Sequence, residues 1–340
     1  MDKHEVICLL KDAAIGLGRT PTRDEFRAMC SEKKVRKLFG TYSALIQASG
    51  LDAVKPSKDK DTKFKYKKTL IDSFHIHEID LADLFKKAGN PKVLKVLGMP
   101  DTHVEHRDHA AVNCFLEFAE FYNPDVVLMY GDFLDAEGIS HWGPNTLKPR
   151  DFISEVIEAR ELLDVLVRKT PNAIYRPYLF ANHEDWINQA MVQKLPEFFN
   201  GLEKLGLMPD LNKLLDLEKF CIDLIPLNHF LKIGNTFHTH GLYTGNGHPK
   251  KHLDTVKNNI YYGHLHDMQS YHSPTVNGMI EAACSGHLSK NDAAFLKGKP
   301  NNWQQGFPIM EFFPDGSYSR YALKINNGRL SFMGKIFGNA

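Results

Sequence analysis

Apolar positions in the central part of the chain form short β-type runs that alternate with helical patterns. The runs VLKVLGM (93–99), VVLMY (126–130) and IYRPYLF (174–180) are separated by helical periodicity around 108–121 and 151–168. Strands that alternate with helices are typical of a layered α/β fold. The sequence therefore predicts an α/β domain here.

The second half of the chain is richer in strands. Further β-type runs occur at NTFHTH (235–240), NNIYYGH (258–264) and GMIEAAC (278–284). The stretch 307–325 predicts a hairpin that turns at PDG (314–316). No internal repeat accompanies these runs.

The first fifty residues predict a compact helical module. An amphipathic pattern covers residues 4–16, and Thr22 is placed to cap a second helix that has acidic residues in its first turn. A third helix is predicted from about residue 42 to 48, ending before Gly50. Three short helices in this span indicate a small all-α unit.

A charged stretch that contains proline and lacks apolar periodicity follows this unit, around residues 55–68. Such composition is typical of a linker or a solvated edge. We therefore divide the chain into a basic helical module at 1–55, a charged linker at 56–70 and a main domain at 71–340.

The charge of the chain is unevenly distributed. Its 340 residues include 43% hydrophobic and 24% charged residues, the balance of an ordinary globular protein, and the net charge is +1. Residues 1–70 carry 16 Lys or Arg against 9 Asp or Glu, whereas the remainder carries 26 against 32. A basic front end suggests attraction to a polyanion, and a solvated lysine-rich linker is an equal alternative.

The cysteines and the apolar runs bear on the compartment. Five cysteines form no C-x-x-C pair, so neither a disulfide framework nor a zinc finger is indicated. No apolar run approaches the roughly 18 residues of a membrane span. We expect a cytoplasmic protein with no membrane partner.

Each β-type run of the main domain ends in side chains that can bind metal. The segments are Asp101-Thr102-His103, Gly131-Asp132-Phe133-Leu134-Asp135, Asn182-His183-Glu184, His240-Gly241 and Gly263-His264-Leu265-His266. Ligands bind at the carboxyl ends of strands in open α/β sheets, so five such ends can converge on one site. Mixed oxygen and nitrogen ligands suit manganese, iron, zinc or nickel rather than calcium.

This order of segments resembles that of the calcineurin-like metallophosphoesterases, over about residues 92–325. The resemblance implies a four-layer fold, in which helices flank two packed mixed β-sheets, and two divalent ions, manganese first, with iron, zinc and nickel as alternatives. It implies that one ion is held by Asp101, His103 and His266, the other by Asn182, His240 and His264, and that Asp132 bridges both.

The same resemblance implies the chemistry. A hydroxide bridging the two ions attacks phosphorus, and His183 protonates the departing alkoxide. Outside the ligand set, Asp135 and Glu184 are expected to support the site, and for Asp135 the alternatives are to orient a ligand or to cap a following helix. Asp132 and His183 are thus the residues expected to act in catalysis.

Two departures from the family pattern are visible. Ala181 stands where the family usually has glycine, and we expect little effect on the ligands. Ala136 stands where serine/threonine protein phosphatases carry arginine, which weakens a protein-phosphatase interpretation. Candidates to clamp a terminal phosphate are Arg107, Arg176 and Lys250.

Several other histidines have open roles. Substrate contact and packing are equally consistent with His106, His109, His238, His248 and His252. The pair at residues 75 and 77 is interpreted as structural.

The amino-terminal segment 17–51 resembles a small repeat found beside homing endonucleases and in phage proteins, through its R-T-P-T turn and F-G-T-Y-S-A-L stretch. The resemblance implies a DNA-binding accessory module, and helical packing with a solvated basic face is the alternative. The residues expected to contact phosphates are Arg19, Arg23, Arg27, Lys33, Lys34, Arg36 and Lys37.

The sequence as a whole predicts a metal-dependent phosphodiesterase or nuclease that acts on DNA or RNA. Nucleic acid would be its substrate or tether. The alternative enzyme is a phosphomonoesterase or small-molecule phosphodiesterase in which the module serves only for docking. A non-catalytic binding protein is the rival of another class, and the complete ligand set together with His183 argues against it.

Overall fold

The structure is a computed structural model. It describes residues 2–17, 20–21, 23–27, 29–51, 75–139, 151–194, 210–292 and 300–338. Contacts divide the chain into two units, Met1–Asp72 and Ser73–Ala340, which are described in turn. The whole of the predicted linker and the predicted cap Thr22 lie outside the described residues.

The first unit is helical throughout its described secondary structure, as the sequence predicted. Its helices are α1 (Lys3–Leu17), α2 (Arg23–Arg27), α3 (Glu32–Phe39) and α4 (Tyr42–Ser49). Leu10, Phe26, Val35 and Leu45 form a shared buried core, and the Thr41 hydroxyl accepts the amide of the first turn of α4. Helix α3 was absent from the prediction, which expected three helices.

The second unit is built around two six-stranded mixed sheets. The first sheet has the order β12-β11-β2-β3-β4-β5 and consists of β2 (Leu94–Met99), β3 (Val126–Met129), β4 (Pro177–Leu179), β5 (Asp223–Ile225), β11 (Gly306–Phe312) and β12 (Tyr318–Lys324). The second sheet has the order β1-β6-β7-β8-β10-β9 and consists of β1 (His75–Ile79), β6 (His229–Ile233), β7 (Thr236–Thr239), β8 (Asn259–Tyr262), β9 (Ser270–Thr275) and β10 (Gly278–Cys284). A small hairpin joins β13 (Leu330–Phe332) and β14 (Lys335–Phe337).

Helices pack against both sheets. They are α5 (Leu81–Lys87), α6 (His109–Tyr122), α7 (Phe152–Lys169), α8 (Asn182–Lys194), α9 (Leu211–Leu215) and α10 (His248–Val256), with short 3-10 turns at Val104–His106 and Glu137–Ile139. None of the helices among the described residues is both long and apolar enough to cross a membrane.

The alternation of side chains along the strands creates the layers. Val96 of β2 and Tyr261 of β8 share a buried cluster between the two sheets, whereas Leu97 belongs to the cluster that contains α6 and α7. Tyr262 packs with Leu253 of α10 on the other side. Because neighbouring residues of a strand point to opposite faces, each sheet is buried on both sides. The predicted fold of two packed mixed sheets flanked by helices is confirmed.

The strand ends that carry the metal-binding segments belong to both sheets. Those after β2, β3 and β4 come from the first sheet, and those after β7 and β8 come from the second. Strands β2, β3 and β4 run parallel to one another, and so do β7 and β8. Packing of the two sheets therefore brings together five segments that are spread over 166 positions of sequence, from residue 101 to residue 266.

Candidate metal centre

Asp132, which follows β3, lies at the centre of the second ligand group, which we define as Asp132, Asn182, His240 and His264. His240 Nε2 is 3.0 Å from Asp132 Oδ2, 3.0 Å from Asn182 Oδ1 and 3.2 Å from His264 Nδ1. His264 Nδ1 is 3.9 Å from the same carboxylate oxygen. Four potential ligand atoms from four strand ends thus face one point.

The first ligand group, defined as Asp101, His103, Asp132 and His266, lies beside it. His103 Nε2 and His266 Nε2 are 3.0 Å apart. His103 Nε2 is 4.0 Å from Asp132 Oδ2, and His266 Nε2 is 3.9 Å from Asp101 Oδ2. Asp132 is therefore shared by both groups, in the position that the resemblance assigns to it.

The hydrogen bonds of the Asp101 carboxylate indicate whether these residues can bind a cation. The side chain is fully buried, and its Oδ2 accepts the main-chain amide of His264 at 2.6 Å. Its Oδ1 has no hydrogen-bond partner among the described residues. A buried carboxylate oxygen without a donor is costly, and a bound cation would supply the missing partner. The residues present therefore fit a divalent ion.

Electrostatic interactions keep Asp132 ionised. Although burial opposes its charge, the nearby His240 and His183 hold the pKa of Asp132 well below its usual range. Burial also opposes the charge of His240, but the Asp132 carboxylate raises the pKa of His240 to about 10. Burial raises the pKa of Asp101 to about 7, and Asp132 acts in the same direction. One permanent negative charge thus lies between the two groups.

Left-handed backbone conformations are concentrated at the ligand turns. His103, Asp132, His264 and His266 have φ values of 44°, 45°, 74° and 60°. Residues other than glycine adopt this region at a cost of about 1–3 kcal/mol, and such residues cluster at functional sites where surrounding contacts impose them. The turns thus aim the ligands inward at the expense of local stability.

Two glycines of the motifs are required by close contacts. A Cβ at Gly263 would lie 2.6 Å from Asp101 Oδ1. A Cβ at Gly131, whose φ is +91°, would lie 2.5 Å from Ala181 Cβ and 2.6 Å from a main-chain oxygen. The backbone of Ala181 does not have a positive φ. Alanine therefore fits at this position, where the resembled family usually has glycine.

His183 lies in the first turn of α8, at the edge of the centre. Its amide donates to Asp132 Oδ1 at 3.2 Å, and its Nδ1 lies 2.7 Å from the main-chain oxygen of Asp135. Nδ1 is therefore the donor and Nε2 is left facing the centre, 3.9 Å from Asp132 Oδ2. Burial lowers the pKa of His183. Its Nε2 also lies close enough to His103 and Asp132 to bind a metal ion together with them. The metal content of a variant that lacks the ring distinguishes this role from proton donation.

Asp135 connects the ligand His103 with its surroundings. Asp135 Oδ1 is 3.0 Å from His103 Nδ1, so it fixes the ring with Nε2 toward the centre. Its Oδ2 is 3.4 Å from His106 Nε2, which also lies 3.3 Å from Glu137 Oε2. His106, whose role the sequence left open, therefore supports Asp135.

Two buried glutamates hold the loop that carries Asp132. Glu184 accepts the amides of residues 132–134 at 3.3, 2.9 and 3.1 Å. Glu155 of α7 accepts the next two amides, those of Asp135 and Ala136. Five consecutive amides are thus bound by two carboxylates. The sequence analysis identified Glu184 but missed Glu155, because a helical glutamate 20 positions from Asp135 belongs to no motif.

The other histidines with open roles are mostly structural. His238 contacts the Tyr130 hydroxyl at 3.0 Å, and His248 contacts the Asp267 carboxylate at 3.0 Å. His252 accepts a main-chain amide at 2.9 Å. All three are buried, whereas His109 is exposed at the start of α6. Packing explains the three buried rings.

The candidate phosphate clamps are engaged elsewhere. Arg107 pairs with Glu158 at 2.6 Å, and Lys250 pairs with Asp254 at 2.7 Å. Arg176 is buried and donates to a main-chain oxygen at 2.7 Å. Two of the three candidates thus already have acidic partners, and a role for any of them as a phosphate clamp stays a prediction.

In the first unit, the predicted basic contacts fall into two sets. Arg23 and Arg27 of α2 both form ion pairs with Glu32. Helix α3 carries the others, Lys33, Lys34, Arg36 and Lys37. Of these, Lys34 is half-buried and the other three are exposed, opposite the buried Val35. Arg19 lies outside the described residues.

A family model matches the amino-terminal part of the chain. Residues 1–52 match the family model of the homing endonuclease associated repeat, which confirms the predicted resemblance of the module. The chain is also similar to the Gene 54 protein of Mycobacterium phage L5, with 24% identity over 257 residues that cover 72% of this chain and 98% of the phage protein.

Three solved structures are among those similar to the chain. Vacuolar Protein Sorting 29 from Cryptosporidium parvum is 12% identical with a TM-score of 0.39, covering 73% of this chain and all of that one. Nuclease MPE from Pseudomonas putida is 10% identical with a TM-score of 0.30, covering 72% and 87%. The phosphoesterase Yfce from E. coli is 13% identical with a TM-score of 0.29, covering 67% and 99%. The fold described above rests on the sheets of this chain, independently of these likenesses.

Proposed function

We propose that the protein is a dinuclear metal-dependent phosphoesterase. The observation that carries this proposal is the shared position of Asp132, whose Oδ2 lies 3.0 Å from His240 Nε2 in the second ligand group and 4.0 Å from His103 Nε2 in the first. Two cations held close together repel each other, and a shared carboxylate reduces that repulsion. A single structural ion would not require two complete groups of ligands around one aspartate.

The roles of the side chains follow from their positions. Asp101, His103 and His266 would hold one ion, and Asn182, His240 and His264 would hold the other. Bound together, two divalent ions supply hydroxide at neutral pH and neutralise charge that develops on the phosphate oxygens. Asp135 and the two buried glutamates keep the ligand loop in place.

His183 would act as the proton donor to the leaving group. Its Nδ1 proton is committed to the Asp135 main-chain oxygen, so that the ring is held with Nε2 toward the centre. A group so held can give a proton to an alkoxide that leaves from the phosphate. The lowered pKa of His183 favours rapid transfer once the ring is protonated.

The finer proposal is that the substrate is a phosphodiester of DNA or RNA. Lys33, Arg36 and Lys37 are exposed on one face of α3, at the spacing that aligns charges along a helix. Such a face binds phosphates without reading sequence. The match to the homing endonuclease associated repeat supports the same role. The alternative of a phosphomonoesterase is weakened because two candidate clamp residues, Arg107 and Lys250, already pair with Glu158 and Asp254.

The experiment combines metal analysis with a substrate panel. Protein loaded with Mn²⁺, Fe²⁺, Zn²⁺ or Ni²⁺ is offered bis-p-nitrophenyl phosphate, p-nitrophenyl phosphate, and single- and double-stranded DNA and RNA. In Asp132→Asn we expect less bound metal by elemental analysis and lower activity on every substrate. Asp164→Asn, which changes an exposed carboxylate of α7, is the matched control and should behave like the wild type.

If Asp132→Asn kept its full metal content and activity, the bridging role would be wrong. If the loaded wild type hydrolysed the aryl esters but neither nucleic acid, the phosphoesterase proposal would stand and the nucleic-acid substrate would not.

A further inference from the structure

A cavity of about 160 Å³ opens beside the second ligand group. Asn182, His240 and His264 form part of its wall, so a phosphate at the metal centre would have one of its substituents directed toward this space. The remaining wall comes from the end of β4, the loop between β5 and β6, and the loop after β7. The cavity is thus continuous with the proposed catalytic centre.

The wall away from the ligands is apolar or uncharged. Phe180, Leu227 and Leu242 supply carbon surface, and Asn228 supplies an amide. None of the lining residues that the structure describes is a lysine or an arginine. Burial and the neighbouring His75 and His77 lower the pKa of His229, so this lining histidine is neutral at pH 7.

The composition of this wall favours an apolar substituent of the phosphate over a charged one. Burying a phosphate or carboxylate against the wall away from the ligands would be costly, because that wall has no lysine or arginine to pair with it. Burying carbon surface against Leu227 and Leu242 is favourable, at roughly 25 cal/mol per Å². The size is also informative, since an apolar protein cavity of about 150 Å³ holds one benzene-sized ring.

We propose that this cavity is a substrate subsite that takes an uncharged, ring-sized organic group esterified to the phosphate. The inference rests on the proposed phosphoesterase function and sharpens it. A diester carries two organic groups, so one can occupy the subsite while the other departs, whereas a monoester carries only one, which is also its leaving group. The subsite therefore favours diesters over monoesters, and Leu227 and Leu242 are the residues that determine this preference.

The test changes the charge of the wall. Leu227 is 39% exposed, so Leu227→Arg can fold while bringing a cation to the cavity. We expect kcat/KM on bis-p-nitrophenyl phosphate, divided by kcat/KM on p-nitrophenyl phosphate, to fall at least about tenfold, the effect of roughly 1.4 kcal/mol of differential binding. Leu227→Met keeps the wall uncharged and should keep the ratio. Ile153→Arg adds the same charge at a 58% exposed position of α7 and should also keep it.

A second variant covers the case in which Leu227→Arg fails to fold. Leu242→Ala removes carbon surface without adding charge, and it should raise KM several-fold for the diester while leaving KM for the monoester unchanged. An unchanged ratio in both variants, with the wild type active, would overturn the subsite and leave the phosphoesterase intact. Inactivity of the metal-loaded wild type on both esters would overturn the proposed function and the subsite with it.

Discussion

At the scale of single residues, Asp135 joins two functions of the centre. Its carboxylate fixes the ring of His103, a proposed ligand, and its main-chain oxygen fixes the ring of His183, the proposed acid. Because both rings are hydrogen-bonded to Asp135, the proposed ligand and the proposed proton donor keep a constant position relative to each other. That constancy is what proton transfer to a departing group requires.

The role of His183 can be tested by its removal. Because the ring is assigned to proton donation rather than ligation, His183→Ala should retain both metals. It should lose roughly 10²–10⁴-fold in turnover on diesters with poor leaving groups and less on nitrophenyl esters, which need little protonation. Elemental analysis and kcat on both substrate types are the measurements.

His109→Ala, at an exposed histidine of α6, is the control and should change neither quantity. Loss of metal from His183→Ala would instead assign the ring as a ligand beside His103 and Asp132. An equal loss of turnover on both types of leaving group would remove it from the proton-transfer step.

At the scale of structural elements, the loop after β3 depends on α7. Two residues of this loop, Asp132 and Ala136, have left-handed backbone conformations, and the amides between them are bound by Glu184 and Glu155. Burial, together with the neighbouring Asp135 carboxylate, raises the pKa of Glu155 to about 8. A titratable group of α7 thus lies beneath a strained loop.

Glu155→Gln should change how stability depends on pH. The folded-state pKa of Glu155 lies above the ordinary value of 4.5, so its contribution to stability is fully present below about pH 4.5 and is lost as pH rises to about 8. The free energy of unfolding of the wild type, relative to that of Glu155→Gln, should therefore fall by roughly 3–5 kcal/mol over this range. Urea denaturation at several pH values, with EDTA present, measures the difference.

Glu161→Gln removes an exposed carboxylate of the same helix and should run parallel to the wild type at every pH. If Glu155→Gln also ran parallel, Glu155 would be ionised in the folded state with its ordinary pKa. The amides of Asp135 and Ala136 would then be bound by a permanent carboxylate.

At the scale of the whole molecule, the chain combines two units with separate cores. The first unit has its own buried cluster, and every proposed metal ligand lies in the second, which begins at Ser73. The proposed chemistry and the proposed binding of a nucleic-acid backbone can therefore be tested separately by mutation.

Neutralising the exposed face of α3 should weaken nucleic-acid binding and spare catalysis. In the triple variant Lys33→Gln, Arg36→Gln and Lys37→Gln, hydrolysis of a small diester should be unchanged. The log–log salt dependence of DNA binding should become shallower by about 0.7–0.9 for each phosphate that the module no longer neutralises. Titrations at several salt concentrations measure the slope.

Neutralising three lysines of the second unit, Lys86, Lys87 and Lys257, changes the net charge equally and serves as the control. If both triple variants gave the same slope, the first unit would not be the tether. The module would then be a helical packing unit, the alternative that its sequence also allows.

Features that are encoded in short segments of the chain were predictable from the sequence. Each candidate ligand segment is local: a buried strand, a tight turn and a metal-binding side chain lie within a few residues. The alternation of strands and helices predicted the layered fold, and the resemblance carried by the order of the segments implied the two ligand groups. Edge strands were missed because β1 and β9 are mostly exposed and lack the alternating apolar pattern that identifies a half-buried strand.

The sequence by itself thus determined the chemistry of the ligands and the class of fold, because both are written in short segments. Only the tertiary structure decided which distant residues meet. It placed Glu155 beneath the Asp132 loop, matched the candidate clamp cations with other partners, and buried His238, His248 and His252 in the packing. It also formed the uncharged cavity beside the second ligand group, since that wall comes from three connections that are distant in sequence and adjacent only after the two sheets have packed.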